Sequence, residues 1–145
     1  MVDIQTEILI DRPREAVAAF SGDPANAPQW YVNISSAGWQ TGAGLAVGAR
    51  IAFSAAFLGR NLSYVYEVVE LVPGQKLVMR TAQGPFPMQT TYTWSSVDPN
   101  TTRMTLRNDG KPSGFSKLLA PLVGVTMRAA NTKDLKNLKR ILESS

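Results

Sequence analysis

The chain contains no cysteine and no histidine. Disulfide scaffolds, thiol nucleophiles, Cys/His zinc sites, Ser-His-Asp triads and imidazole proton shuttles are therefore excluded. Any catalysis must rest on carboxylates, Tyr, Lys, Arg or a cofactor. No apolar run approaches the roughly 18 residues of a membrane-spanning helix, and no basic-plus-apolar leader precedes the first strand pattern. A cytoplasmic protein without stable membrane insertion is the expectation. Low-complexity segments and internal repeats are missing too, which argues against disorder and solenoids. No cluster of carboxylates suggests a metal site, and no cofactor is indicated. The glycine-rich run Gly42 to Gly48 lacks the Lys-Ser/Thr of a phosphate-binding loop and precedes a strand rather than a helix, so it reads as a loop at a cavity rim.

What is present fits one domain of 145 residues, long enough for a real core. Charge is unevenly placed: eight Lys/Arg face nine Asp/Glu up to Gly110, and seven face two from Lys111 onward. The excess lies on the last segment. A patch for anionic lipid or nucleic acid is one reading. The solvated face of an amphipathic helix is the preferred one, with Lys133, Lys136, Lys139 and Arg140 complementing the helix C-terminus, because no aromatic residues interleave the charges. Nucleic acid is not expected as a partner.

Val2 to Ile10 alternates apolar and polar residues, the period of a half-buried strand. Asp11 as a cap, Pro13 and Glu15 predict a short helix to about Phe20, and Asp23 before Pro24 predicts a second short helical turn ending near Trp30. Period-two patterns then recur at 34–40, 50–58, 62–72, 76–82, 87–97 and 102–108. Gly, Pro or Asp/Asn turns between them favour antiparallel hairpins. Tyr64, Tyr66 and Val68 are assigned inward on the fourth strand, with a bulge able to switch the facing further along. From Pro112 to Leu142 one long amphipathic helix is predicted. Its stripe is Phe115, Leu119, Val123, Met127, Asn131, Leu135, Leu138 and Leu142, with a second ridge of Leu118, Leu122 and Thr126. Pro121 marks either its start or a kink. The sum is an α+β arrangement: a curved antiparallel sheet of about seven strands, two short helices after the first strand, and a closing terminal helix.

Taken in order, "RPREAVAAFSGDPANAPQW", "VGARIAF", "YEVVELVPGQKLVMR", "TYTWSSVDPNTTRMTL" and the Gly-led terminal helix with its central Arg and Leu-Lys ending resemble the START-like, or helix-grip, superfamily. The resemblance is to its polyketide cyclase/dehydrase and lipid-transport proteins and spans nearly the whole chain. It implies a sheet wrapped around the terminal helix, with a cavity between them for a hydrophobic small molecule. Family members include carriers, binding proteins and cyclases, and fold does not choose among them.

Trp30, Phe53, Phe57, Tyr64, Tyr66, Met79, Phe86, Met88, Tyr92, Trp94, Leu119, Val123 and Met127 are the candidate lining. Thr90, Asn108 and Asn131 join the Tyr and Trp polar atoms as groups that could orient a ligand oxygen. Any one of these is equally at home in an ordinary core, but Met and aromatics together suit an adaptable apolar pocket. Three functions fit: a binder of a lipid-, polyketide- or isoprenoid-like molecule; a cyclase/dehydrase-like enzyme; or a protein-interaction module using the basic helix. For the enzyme, Glu67 is the candidate base if its strand turns it inward, with a Tyr hydroxyl as oxyanion donor. Otherwise Glu67 pairs across strands with Arg50 or Arg80. Binding is the favoured reading.

Overall fold

The computed structural model describes residues 2–42, 44–57, 59–84, 87–110 and 120–144, without the side chains of Phe57, Ala120 and Pro121. Strand β1 (Val2–Ile10) is followed by helix α1 (Arg14–Ser21), a 3-10 turn (Pro24–Asn26) and helix α2 (Ala27–Trp30). Strands β2 (Ile34–Trp39), β3 (Arg50–Phe57), β4 (Arg60–Val72), β5 (Lys76–Gln83), β6 (Met88–Asp98) and β7 (Thr101–Gly110) come next, and helix α3 (Ala120–Glu143) closes the described chain. The seven strands form one antiparallel sheet in the order β1-β7-β6-β5-β4-β3-β2. It curls around α3 as a helix-grip fold.

The local signals act largely as the residues suggest. Asp23 accepts a hydrogen bond from the Ala25 N–H at 3.0 Å and so caps the 3-10 turn. Asp11 does not cap α1. Pro13 takes that position, its carbonyl accepting from the Ala16 and Val17 N–H groups, while the Asp11 N–H donates to Glu143. In the β4–β5 turn Pro73 fixes one φ and Gly74 supplies a φ of +73°, closed by the Gln75 N–H on the Val72 carbonyl.

Strand β4 carries two register shifts against β5, at Val65/Tyr66 and Val68/Glu70. The first leaves the extra residue, Ala82, on β5 and the second leaves Val69 on β4; such irregularities raise the local twist and help the sheet curl. Before the second shift Leu62, Tyr66 and Val68 are buried; after it Leu71 packs on the core. The facing therefore switches partway along the strand.

Helix α3 lies mainly along β1. Val123, Asn131, Leu135, Leu138 and Leu142 are buried on its inner face. Pro121 falls in the first described turn. Phe115, Leu118, Leu119 and the predicted start at Pro112 lie outside the described residues. Of the second ridge, Leu122 is half exposed and so does not widen the inner face, while Thr126 is half-buried. At the other end, Arg12 donates to the Leu142 carbonyl at 2.7 Å and Lys139 to the Leu9 carbonyl at 3.0 Å. Asn137 donates to the Gln29 and Trp30 carbonyls, tying α2 to α3.

Candidate functional site

A cavity of about 140 Å³ lies between the concave face of the sheet and α3. Strand alternation aims Tyr64 and Tyr66 of β4 and Thr90 and Tyr92 of β6 at it from the same face. Phe53, Met79, Met88 and Asn108 complete this floor, with Ala55, Leu62 and Thr81 between them. Met127, Ala130, Asn131 and Asp134 form the roof from one stripe of α3, and Tyr31, Asn33 and Ile34 form an end wall after α2. The rings are packed against one another: Phe53 stacks on Tyr64 at 5.3 Å, and Tyr66 meets Phe53 edge-on at 5.7 Å.

Two polar groups of different character stand among these apolar walls. On the sheet, Thr90 donates to Asn108 Oδ1 at 2.6 Å, and the Tyr66 hydroxyl lies 2.9 Å from Thr90 Oγ. Thr90 spends its one proton on Asn108, so Tyr66 is the donor to Thr90 and this chain is internally satisfied. Under the helix, the Tyr31 and Tyr92 hydroxyls are 2.5 Å apart. Asp134, only 3% exposed, accepts the Val32 N–H at 2.9 Å through Oδ1. Burial pushes its carboxyl up to about 6, against the smaller opposing effect of that N–H. Burial likewise pushes the Tyr66 hydroxyl up to about 12 and raises Tyr31, Tyr64 and Tyr92 well above the usual phenol range. All four phenols are neutral donors at ordinary pH.

Of the residues expected to line a pocket, the cavity brings together Phe53, Tyr64, Tyr66, Met79, Met88, Thr90, Tyr92, Asn108, Met127 and Asn131. It does not include three others. Trp30 is fully buried behind the wall, its ring 4.0 Å from that of Tyr31 and 5.8 Å from that of Tyr92. Trp94 is on the concave face but nearer the other end of β6, beneath α1, where its indole N–H donates to Ser21 Oγ at 2.9 Å. Val123 is fully buried without lining the cavity. Phe86, Leu119 and the side chain of Phe57 lie outside the described residues. None of the described residues of the Gly42 to Gly48 loop lines the cavity either; Gly48 and Ala49 instead extend the pairing to Val68.

Glu67 is not a cavity base. It sits on the outer face of β4, opposite Arg50 and Arg80, with Arg50 Nε 3.1 Å from its carboxylate. The alternation that turns Tyr66 and Val68 inward turns Glu67 out. Glu70 likewise pairs on the outside, with Lys76 at 3.3 Å.

The cavity's carboxylate is Asp134, which is not among the residues singled out from sequence. A signal for it exists, since Asp134 falls three residues after Asn131 within the apolar stripe, a spacing that puts both on one helix face. Tyr31 escapes sequence reasoning because it follows the end of α2, where neither period applies. Among the described residues no group of three or more Asp and Glu is placed to hold a metal ion, and no helix is long and apolar enough to cross a membrane.

The sequence matches, over residues 1–143, the profile of the family described as polyketide cyclase / dehydrase and lipid transport. No curated protein matches it significantly. The fold is similar to that of a START superfamily protein from Mycobacterium smegmatis (TM-score 0.83, 14% identity, 98% of this chain and 97% of that one). It is similar as well to that of a protein from Thermus thermophilus (TM-score 0.82, 19% identity, 98% and 97%). The Zhui aromatase/cyclase from Streptomyces sp. R1128 shares it too (TM-score 0.77, 11% identity, 97% and 93%). At these identities the likeness is one of fold.

Proposed function

Because the chain belongs to the polyketide cyclase / dehydrase and lipid transport family, we propose that it binds a hydrophobic or amphipathic small molecule of lipid, polyketide or isoprenoid type between the sheet and α3. The observation that carries this reading is the cavity of about 140 Å³, walled by aromatics and methionines with a few polar atoms. Such a lining suits capture of an apolar body with an oriented oxygen. A volume of that order accommodates a benzene-sized ring. Native mass spectrometry of freshly purified protein, followed by organic extraction, tests it: the expected result is an added mass that extraction releases. Replacement of Tyr92 by Phe or Asn131 by Leu is expected to alter ligand affinity while the fold persists. Unchanged affinity in both variants counts against this lining.

A second reading, cyclase- or dehydrase-like catalysis, draws on Asp134. A buried carboxylate at a cavity wall, with its proton affinity raised toward neutrality, has the character of a general base, and Tyr31 or Tyr92 is a neutral donor nearby. Loss of turnover in Asp134→Asn with retained ligand binding supports it. The interaction reading for the basic helix is the weakest, since a cavity is superfluous to it and Lys139 is engaged in docking α3 to β1.

A further inference from the structure

The polar groups of the cavity differ in what they have left to offer. The Tyr66, Thr90 and Asn108 chain spends its hydroxyl protons internally. Tyr31 and Tyr92 have two protons between them and one shared hydrogen bond, so one proton remains free. Asp134 uses one oxygen on the Val32 N–H, and among the described residues its other oxygen has no hydrogen-bond partner. Both phenols are close enough to Asp134 for its charge to raise their proton affinity. A hydroxyl is the group that can accept the leftover phenol proton and donate to the free carboxylate oxygen at once. Asn131 adds a separate demand. Its Nδ2 is buried with no partner, and the residue is 4% exposed while facing the cavity. It requires an acceptor oxygen.

Charge narrows the ligand further. Among the described residues lining the cavity there is no Lys and no Arg, and Asp134 is the sole carboxylate. A ligand carboxylate would meet a like charge in an apolar setting with no cation to balance it.

Resting on the binding reading above, we propose that the cavity selects an uncharged, ring-bearing hydroxy-carbonyl compound and rejects carboxylates, the ligand hydroxyl seating at Asp134 and the Tyr31–Tyr92 pair and its carbonyl oxygen at Asn131. Residues 131 and 134 stand one helical turn apart on one face. The two ligand oxygens should therefore be about 5 Å apart, the separation of meta substituents on an aromatic ring. Free fatty acids fall outside this class.

The test uses the full chain and three single-ring probes matched to the cavity's size, 3-hydroxyacetophenone, acetophenone and 3-acetylbenzoate, titrated calorimetrically at about pH 7.5, where the phenol is neutral and Asp134 ionised. The hydroxy ketone is expected to bind at least about tenfold more tightly than either of the others. In Asp134→Asn, the gap between the hydroxy ketone and the benzoate should narrow to about threefold or less as the repelling charge goes. Asn131→Leu should weaken the hydroxy ketone and acetophenone by a similar factor, about fivefold. Benzoate binding as tightly as the hydroxy ketone, or an unchanged ratio in Asp134→Asn, overturns the selectivity while leaving small-molecule binding in place. Failure of all three probes to bind overturns this proposal, and the absence of any added mass in native mass spectrometry overturns the binding reading beneath it.

Discussion

The two halves of α3 meet the sheet in opposite ways. Toward its C-terminus, Leu135, Leu138 and Leu142 are buried in the core with Trp30, Trp94 and Met104. Arg12, Asn137 and Lys139 fasten that half by hydrogen bonds to backbone carbonyls. One turn toward the N-terminus the same stripe carries Asn131 and Met127 over open space, and the buried Asn131 amide has no partner. Closely packed apolar contact and hydrogen bonds from side chains to backbone carbonyls mark the end that holds the fold. Vacant volume and unspent hydrogen-bonding capacity mark the end where a ligand would supply what the chain does not.

That contrast is breakable by substitution. The largest effect is expected at Leu138, which is fully buried: Leu138→Ala should cost about 2–5 kcal/mol in chemical denaturation, whereas Met127→Ala over the cavity should cost less than about 1.5 kcal/mol. Equal losses would erase the distinction between the halves.

Asp134 should reveal itself through pH. Its carboxyl lies at about 6 in the folded protein against an ordinary 3.8. The native state therefore holds this proton over a range where the unfolded chain has released it. Stability contributed by that difference is full below about pH 4, declines as pH rises to about 6, and is absent above. Over that window the loss should be about 3 kcal/mol or less. Asp134→Asn should remove the decline and raise stability at neutral pH by about 1–3 kcal/mol, read from urea melts at several pH values. Asp3 and Glu143, whose carboxyls are held below their ordinary range chiefly by hydrogen bonds from Arg107 and Lys139, act in the opposite sense and at lower pH.

Arg12→Ala, which removes the hydrogen bond to the Leu142 carbonyl, should cost about 1–2 kcal/mol without altering ligand binding. The smallest change is expected at Glu67. Its partnership with Arg50 is solvent-exposed, so Glu67→Gln should shift stability by less than about 1 kcal/mol and leave binding untouched. A strong binding defect in Glu67→Gln would return that residue to the cavity's account.

The architecture is legible in the sequence because its signals are local and repeated. Period two marks the strands, broken only where β4 switches its facing, Pro-Gly and Asp-Pro mark turns, and a four-residue stripe marks α3. Much of the cavity lining is legible for the same reason, since Tyr64, Tyr66, Tyr92 and Met79 follow strand alternation directly. What periodicity does not give is depth along an element. Trp94 shares a strand face with Tyr92, yet lies two residues further along, under α1 rather than beside the cavity. Nor does it say which inward polar residue finds a partner. In the sequence Asp134 is one charge on a basic helix, while its significance comes from burial beside Tyr31, a residue more than a hundred positions earlier.

The most direct test of the central claim is a crystal structure of the protein under xenon pressure. Xenon should occupy the apolar space between Tyr66, Met79 and Met127. An interior closed by the chain's own side chains, with no xenon there, would contradict the account.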